Sequence, residues 1–201
     1  ASALDTESLD GSSLRSLRLV RFKAFVLLMI SILFGGVSIA AMQSGGNALP
    51  ASPIGRCTNL GNALEAPTEG EWGLTLQESY FSVIAEGGFD TIRLPVKWSA
   101  HSDENAPYTI DPEFFDRIDT VIGWALDANL QVILNIHHYD EFMTDPTGNH
   151  DRLLSLWRQI GEHYADQPDG LIFEALNEPT MDVESGLWNT MQAETIAAIR
   201  E

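Results

Sequence analysis

The sequence predicts an α/β fold, a (β/α)8 barrel of which the first four βα units are present. Three observations lead there. Four short apolar runs, at 54–60, 90–96, 131–137 and 171–176, start 36 to 41 residues apart. The intervals between them carry apolar residues at helical spacing, and strands alternating with helices at this distance mean βα units on a parallel sheet. An open doubly wound sheet usually carries a glycine-rich phosphate loop after its first strand. Here that place holds Gly61-Asn62-Ala63-Leu64-Glu65, without that fingerprint. A full barrel takes about 250 residues; four units end inside the fourth helical pattern.

Each element has its own signal. The first strand, 54–60, opens the body. Thr75 and Glu78 form a capping-box pair for the first helix, and Gly87-Gly88 closes it. The second strand, 90–96, leads to Asp111-Pro112, an N-cap followed by proline at the first helical position. Phe115, Ile118, Ile122 and Ala125 then repeat at helical spacing. The third strand, 131–137, is followed by Leu153, Trp157, Ile160 and Tyr164 on a third helix. The fourth, 171–176, is followed by Met191, Thr195 and Ile199 on a fourth.

Composition bounds the function. The chain has 201 residues, 44% of them hydrophobic and 20% charged, which suits a folded core rather than disorder. Its net charge of −18 argues against nucleic acid as a partner, which requires clustered cations. The single cysteine, Cys57, excludes a disulfide framework and a cysteine-based zinc site, and is expected to be buried. Arg15, Arg18, Arg21 and Lys23 stand directly before the uncharged stretch 24–42. That is the layout of a secretory signal, with cleavage expected after Ala40, or of an uncleaved anchor. Residues 1–42 are thus read as a basic arm with signal or anchor, 43–53 as a linker and 54–201 as the body. The body is expected outside the cytoplasm, secreted or anchored facing outward, with transient membrane association through 24–42.

In a βα barrel the chemistry sits at the C-terminal strand ends. Asn62 and Glu65 follow the first strand. Arg93 lies in the second, and Trp98 lies just beyond it. Asn135, His137 and His138 end the third, and Asn177-Glu178-Pro179 ends the fourth. Polar groups in such an interior cost energy unless paired or functional. Arg93 therefore needs a carboxylate partner, either in a structural ion pair or in a catalytic one. Strand alternation sends His137 inward and leaves His138 at the lip, so the two should not hold one ion. No metal or cofactor is expected. Glu65 by itself reads equally as a solvated loop charge, and Asp140 and Glu141 as surface charges. Glu178, one residue past a buried strand, is the strongest single candidate: a carboxyl in a partly apolar rim has its pKa raised, which suits a general acid.

With these stretches assembled, the chain resembles glycoside hydrolase family 5, the cellulase and β-mannanase group. The resemblance rests on Gly61-Asn62-Ala63-Leu64-Glu65, Ile92-Arg93-Leu94-Pro95, Ile133-Leu134-Asn135-Ile136-His137-His138-Tyr139 and Phe173-Glu174-Ala175-Leu176-Asn177-Glu178-Pro179, in order from about 54 to 201. It implies a retaining endo-β-1,4-glycanase acting on glucan or mannan. Glu178 would be the general acid/base and Asn177 would hold a sugar 2-hydroxyl. Arg93 would steady the nucleophile carboxylate. His137, His138, Asn62 and Glu65 would bind sugar hydroxyls. Trp72 and Trp98 suit either the core or a rim where they stack on sugar rings, and Trp98 joins the candidate substrate contacts. The family's nucleophile glutamate ends strand seven, and no residue of this sequence takes its place by motif. The chain is therefore read as the N-terminal half of the catalytic domain. By itself it is expected to be poorly soluble or dimeric, because of an unpaired strand edge, and inactive on glucan. The competing readings are a non-catalytic carbohydrate-binding half-barrel and a metal-dependent barrel hydrolase.

Overall fold

The structure, a computed structural model, describes residues 54–167, 170–180 and 183–201. The expected leader and linker lie outside the described residues. The described elements are β1 (Cys57–Asn59), α1 (Glu78–Glu86), β2 (Thr91–Leu94), α2 (Pro112–Asp127), β3 (Gln131–Asn135), α3 (Asp140–Thr144), α4 (His150–His163), β4 (Leu171–Glu174) and α5 (Ser185–Ile199). A single 3₁₀ turn, Trp98–His101, follows β2. No helix among the described residues is long and apolar enough to cross a membrane.

The strands form one parallel sheet in sequential order, β1-β2-β3-β4. This arrangement fits part of an α/β barrel. The register sets Asn59 beside Arg93 and Arg93 beside Ile133, with Asn135 beside Glu174. Alternation along each strand then sorts the side chains. Ile92, Leu94, Val132 and Leu134 face the helices and are wholly buried. Cys57, Asn59, Arg93, Ile133, Ile172 and Glu174 share the opposite face, where every one of them is exposed or half-buried. Cys57 is therefore exposed, not buried as expected. It lies on the edge strand β1, while Thr91 and Asn135 on the same face are wholly buried.

The helices dock by the residues their periodicity marks. On α2 the buried stripe is Phe114, Ile118, Val121, Ile122 and Ala125; Phe115 lies beside it, half-buried. On α4, Leu153, Leu156, Trp157 and Ile160 face inward, and the Trp157 indole donates to the Ala175 carbonyl at 2.8 Å. Burying each such side chain is worth about 1.5–3 kcal/mol. The Asp111 carboxylate accepts the Glu113 N–H at 2.9 Å and so caps α2, as expected. Gly88 ends α1 in the left-handed region (φ 80°), where a side chain would be strained. The Thr75/Glu78 capping box does not form: α1 starts after Gln77, without a side-chain cap. The Leu76 N–H is bound by Glu69 and the Leu76 carbonyl by Arg117, which keeps the chain extended two residues longer.

Candidate functional site

The C-terminal strand ends converge, and three of their loops turn on a left-handed residue other than glycine. These are Asn62 (φ 67°), His138 (φ 50°) and Glu178 (φ 41°). Such conformations are disfavoured for side-chain-bearing residues and persist only where surroundings impose them, often at functional sites. Backbone hydrogen bonds supply the constraint. Leu60 N–H donates to the Arg93 carbonyl, His137 N–H to that of Val96 and Asn177 N–H to that of Ile136, at 2.8–2.9 Å. The ladder thus runs past the strands and fixes each loop's exit.

Arg93 is the hub. Its Nε and Nη2 donate to both oxygens of Glu174, at 2.7 and 2.6 Å. Nη2 also donates to Asn177 Oδ1 at 2.9 Å, and Nη1 to Asn59 Oδ1 at 3.0 Å. A two-pronged guanidinium–carboxylate pair is short, directional and strong. Burial pushes the Glu174 carboxyl up, but hydrogen bonds from Arg93 and Asn135 outweigh it and hold the group below the usual range. The Glu174 hydrogen bonds likewise push Arg93 further toward its charged form, against its own burial. Glu174 and Asn59 escaped sequence reasoning. A charge inside the apolar run Leu171–Glu174, and the need of Arg93 for a carboxylate, were the signals that could have found Glu174.

The third strand end extends the network. Buried Asn135 donates from Nδ2 to Glu174 Oε1 at 3.2 Å and lies 3.1 Å from His137 Nδ1. The carboxylate requires the amide NH2 on this side, so Nδ1 of His137 accepts. Its Nε2 then carries the proton, as a neutral donor for the cleft. Burial, His138 and Arg93 together lower the His137 pKa to about 4. His138 was expected to point away from His137. The left-handed turn at His138 breaks the strand alternation instead, and the two rings meet edge to face at 4.6 Å. Among the described residues no three His, Cys, Asp or Glu side chains gather as a metal site would need.

Other candidates are placed differently. Trp98 is wholly buried, its Nε1 donating to the Asn135 carbonyl at 3.1 Å, and it packs on Phe114 and Phe115. It supports β3 from behind and offers no face to a ligand, a correction to its expected substrate contact. Glu65 is 4% exposed. Its Oε2 accepts from Ala63 N–H at 3.0 Å, and Oε1 accepts a shorter bond from Asn62 N–H. A buried carboxylate must be satisfied, and here its own loop satisfies it. Glu65 shapes the turn and is not a solvated loop charge. Asn62 and Glu178 are exposed, Asn177 half-buried. Glu178 acts electrostatically on Arg93. The apolar surroundings expected around Glu178 are not supplied by the described residues.

The chain has relatives among the endoglucanases. Endoglucanase H of Acetivibrio thermocellus is 37% identical over 148 residues, which are 74% of this chain and 16% of that protein. Endoglucanase B of Ruminococcus albus is 35% identical over 141 residues, 65% of this chain and 34% of that protein. Among solved structures, Thermotoga maritima Cel5A bound to cellobiose is 46% identical with a TM-score of 0.72. The match covers 73% of this chain and 48% of that one. Cel5A bound to mannotriose matches at 45% identity with the same TM-score. The chain thus spans about half the length of these structures and a smaller share of the curated relatives. The family model for cellulase, glycosyl hydrolase family 5, matches residues 57–201. The chain therefore belongs to the cellulase family, glycosyl hydrolase family 5.

Proposed function

We propose that this chain carries the acid/base half of a retaining endo-β-1,4-glycanase acting on glucan. The observation that carries the reading is the Arg93–Glu174–Asn177 network beside Glu178, at the C-terminal rim of a parallel sheet. Glu178 protonates the glycosidic oxygen as the leaving group departs. A second carboxylate, about 5–5.5 Å away, attacks the anomeric carbon, and Glu178 then takes a proton from the incoming water. No residue of this sequence matches the motif of that second carboxylate. Arg93, held by Glu174 and Asn59, orients Asn177 toward the sugar 2-hydroxyl and presents positive charge to the nucleophile. His137 donates a neutral N–H to a sugar hydroxyl. The protein is exported by the segment 24–42 and meets its polysaccharide outside the cell. Mannan is the second substrate reading, favoured by the Thermotoga Cel5A structures, which hold cellobiose in one case and mannotriose in another.

The test uses the full-length gene product on carboxymethylcellulose and on β-mannan, with the first-formed anomer followed by proton NMR. Glucan cleavage with the β-anomer first is expected. Glu178→Gln should lower turnover by about 10²–10⁴-fold while oligosaccharide binding remains. A first-formed α-anomer, or full activity in Glu178→Gln, overturns the reading. Faster cleavage of mannan moves the substrate and leaves the mechanism.

A further inference from the structure

Cross-strand side-chain pairs ordinarily join neighbouring strands. The pairing of Arg93 with Glu174 does not: it joins β2 to β4, past the intervening β3. The two side chains are 22% and 32% exposed. An ion pair this open to water contributes little to stability, so folding by itself does not account for a geometry this complete. A guanidinium has five N–H donors. Glu174 takes one from Nε and one from Nη2, Asn177 takes the other from Nη2, and Asn59 takes one from Nη1. Glu174 thereby fixes the plane of the guanidinium and the direction from which it meets Asn177, the residue before Glu178.

The charges around this pair are few near neutral pH. Arg93 feels Glu174 most, through their hydrogen bonds, and then the charges of Glu174, Glu178 and Cys57. Burial pushes the Cys57 thiol up, so it keeps its proton and carries no charge. Glu174 in turn faces Arg93, Asn135 and His137. His137, lowered to about 4 by burial, His138 and Arg93, is neutral too. Glu65 acts on His137 and is tied to its own loop. Two carboxylates thus act on the Arg93 charge, Glu174 by direct contact and Glu178 through space.

We infer that Glu174 is a positioning residue for the cleavage step: it aims Arg93 at Asn177 and neutralises the guanidinium, so that Glu178 retains the proton it delivers to the leaving oxygen. This deepens the glycanase reading above and rests on it. An uncompensated cation near a carboxyl favours the ionised form, and a general acid that has lost its proton does no work. Glu174 removes that effect by contact with Arg93 alone.

The test is the pH profile of kcat/KM for the full-length gene product on cellopentaose, or on mannopentaose where that is cleaved faster. The basic limb reports the group that must be protonated. Glu174→Gln keeps the size and one acceptor oxygen but removes the charge, and should move that limb down by about one pH unit. Glu174→Asp keeps the charge at a shorter reach, and should leave the limb in place while kcat falls. Asn59→Asp adds a carboxylate on the Nη1 side of the guanidinium and should move the limb up. A slower Glu174→Gln enzyme with an unmoved limb overturns the inference, since a purely structural pair predicts that result, and the glycanase reading then stands. An equal shift in Glu174→Asp overturns it as well. Should Glu174→Gln not fold, Asn59→Asp decides alone, and a limb that stays or falls overturns the inference. If the unmodified protein cleaves neither pentasaccharide, the glycanase reading fails and this inference fails with it.

Discussion

His137 is the residue whose chemistry depends most on its neighbours. Its ordinary pKa of 6.5 falls to about 4 because burial, His138 and Arg93 all disfavour the imidazolium, outweighing Glu65 and Glu174. Above pH 6.5 the ring is neutral both folded and unfolded, and its contribution to stability is complete. As pH drops from 6.5 toward 4, the unfolded chain binds a proton that the folded chain refuses, and stability is lost. Below about 4 both states are protonated and the loss ends. An NMR titration should place the His137 midpoint near 4, and His137→Asn should flatten the fall of Tm across that window. A midpoint at 6.5 would mean that Arg93 and His138 do not crowd the ring. The same crowding explains Glu174. Without its two oxygens on the guanidinium, Arg93 would stand half-buried with its charge unmatched, and Asn177 would lose its anchor.

At the level of elements, loops rather than strands carry the specific devices. Asp111 caps α2 through one hydrogen bond, and Asp111→Ala should cost about 0.5–2 kcal/mol in a denaturant titration. Asp111→Asn, which keeps the acceptor oxygen, should recover most of it. An equal loss in both variants would show that the carboxylate's charge, not its hydrogen bond, matters at this helix start. The neighbouring loop, 61–76, has two such devices: Glu65 binds its start, and the Glu69–Arg117 pair clamps its end. The first closes the chain locally, and the second ties the loop to α2 across 48 residues.

For the whole molecule, two large terms oppose each other. The sheet face bearing Ile133, Ile172 and Glu174 leaves these residues only half-buried, and β4 pairs on one side alone among the described residues. Both features favour association. The net charge of −18 opposes it. Charge repulsion is screened over about 10 Å at 0.1 M salt and about 3 Å at 1 M, whereas apolar contact is not screened. Residues 54–201 by themselves should therefore sediment as a dimer or larger species, more so at 1 M salt, and should not turn over carboxymethylcellulose. A monodisperse monomer at every salt concentration would mean that the face is stable in water. Turnover by this piece would mean that a carboxylate within it serves as nucleophile.

The sequence by itself determined the order of the four strands and of the four longer helices, though not the short α3 or the 3₁₀ turn, and it determined the set of polar strand ends. These follow from periodicity, and from the high cost of unpaired polar groups, both of which are local or nearly so. Gly88 and Asp111 were legible for the same reason. Tertiary structure alone decided partners. The pairing of Arg93 with Glu174 spans 81 residues and depends on strand register, which periodicity does not set. The burial of Trp98, the turning inward of Glu65 and the exposure of Trp72 and Cys57 were equally hidden. Each depends on which element lies across the sheet or the loop, and residue type does not say which side of a tryptophan meets water.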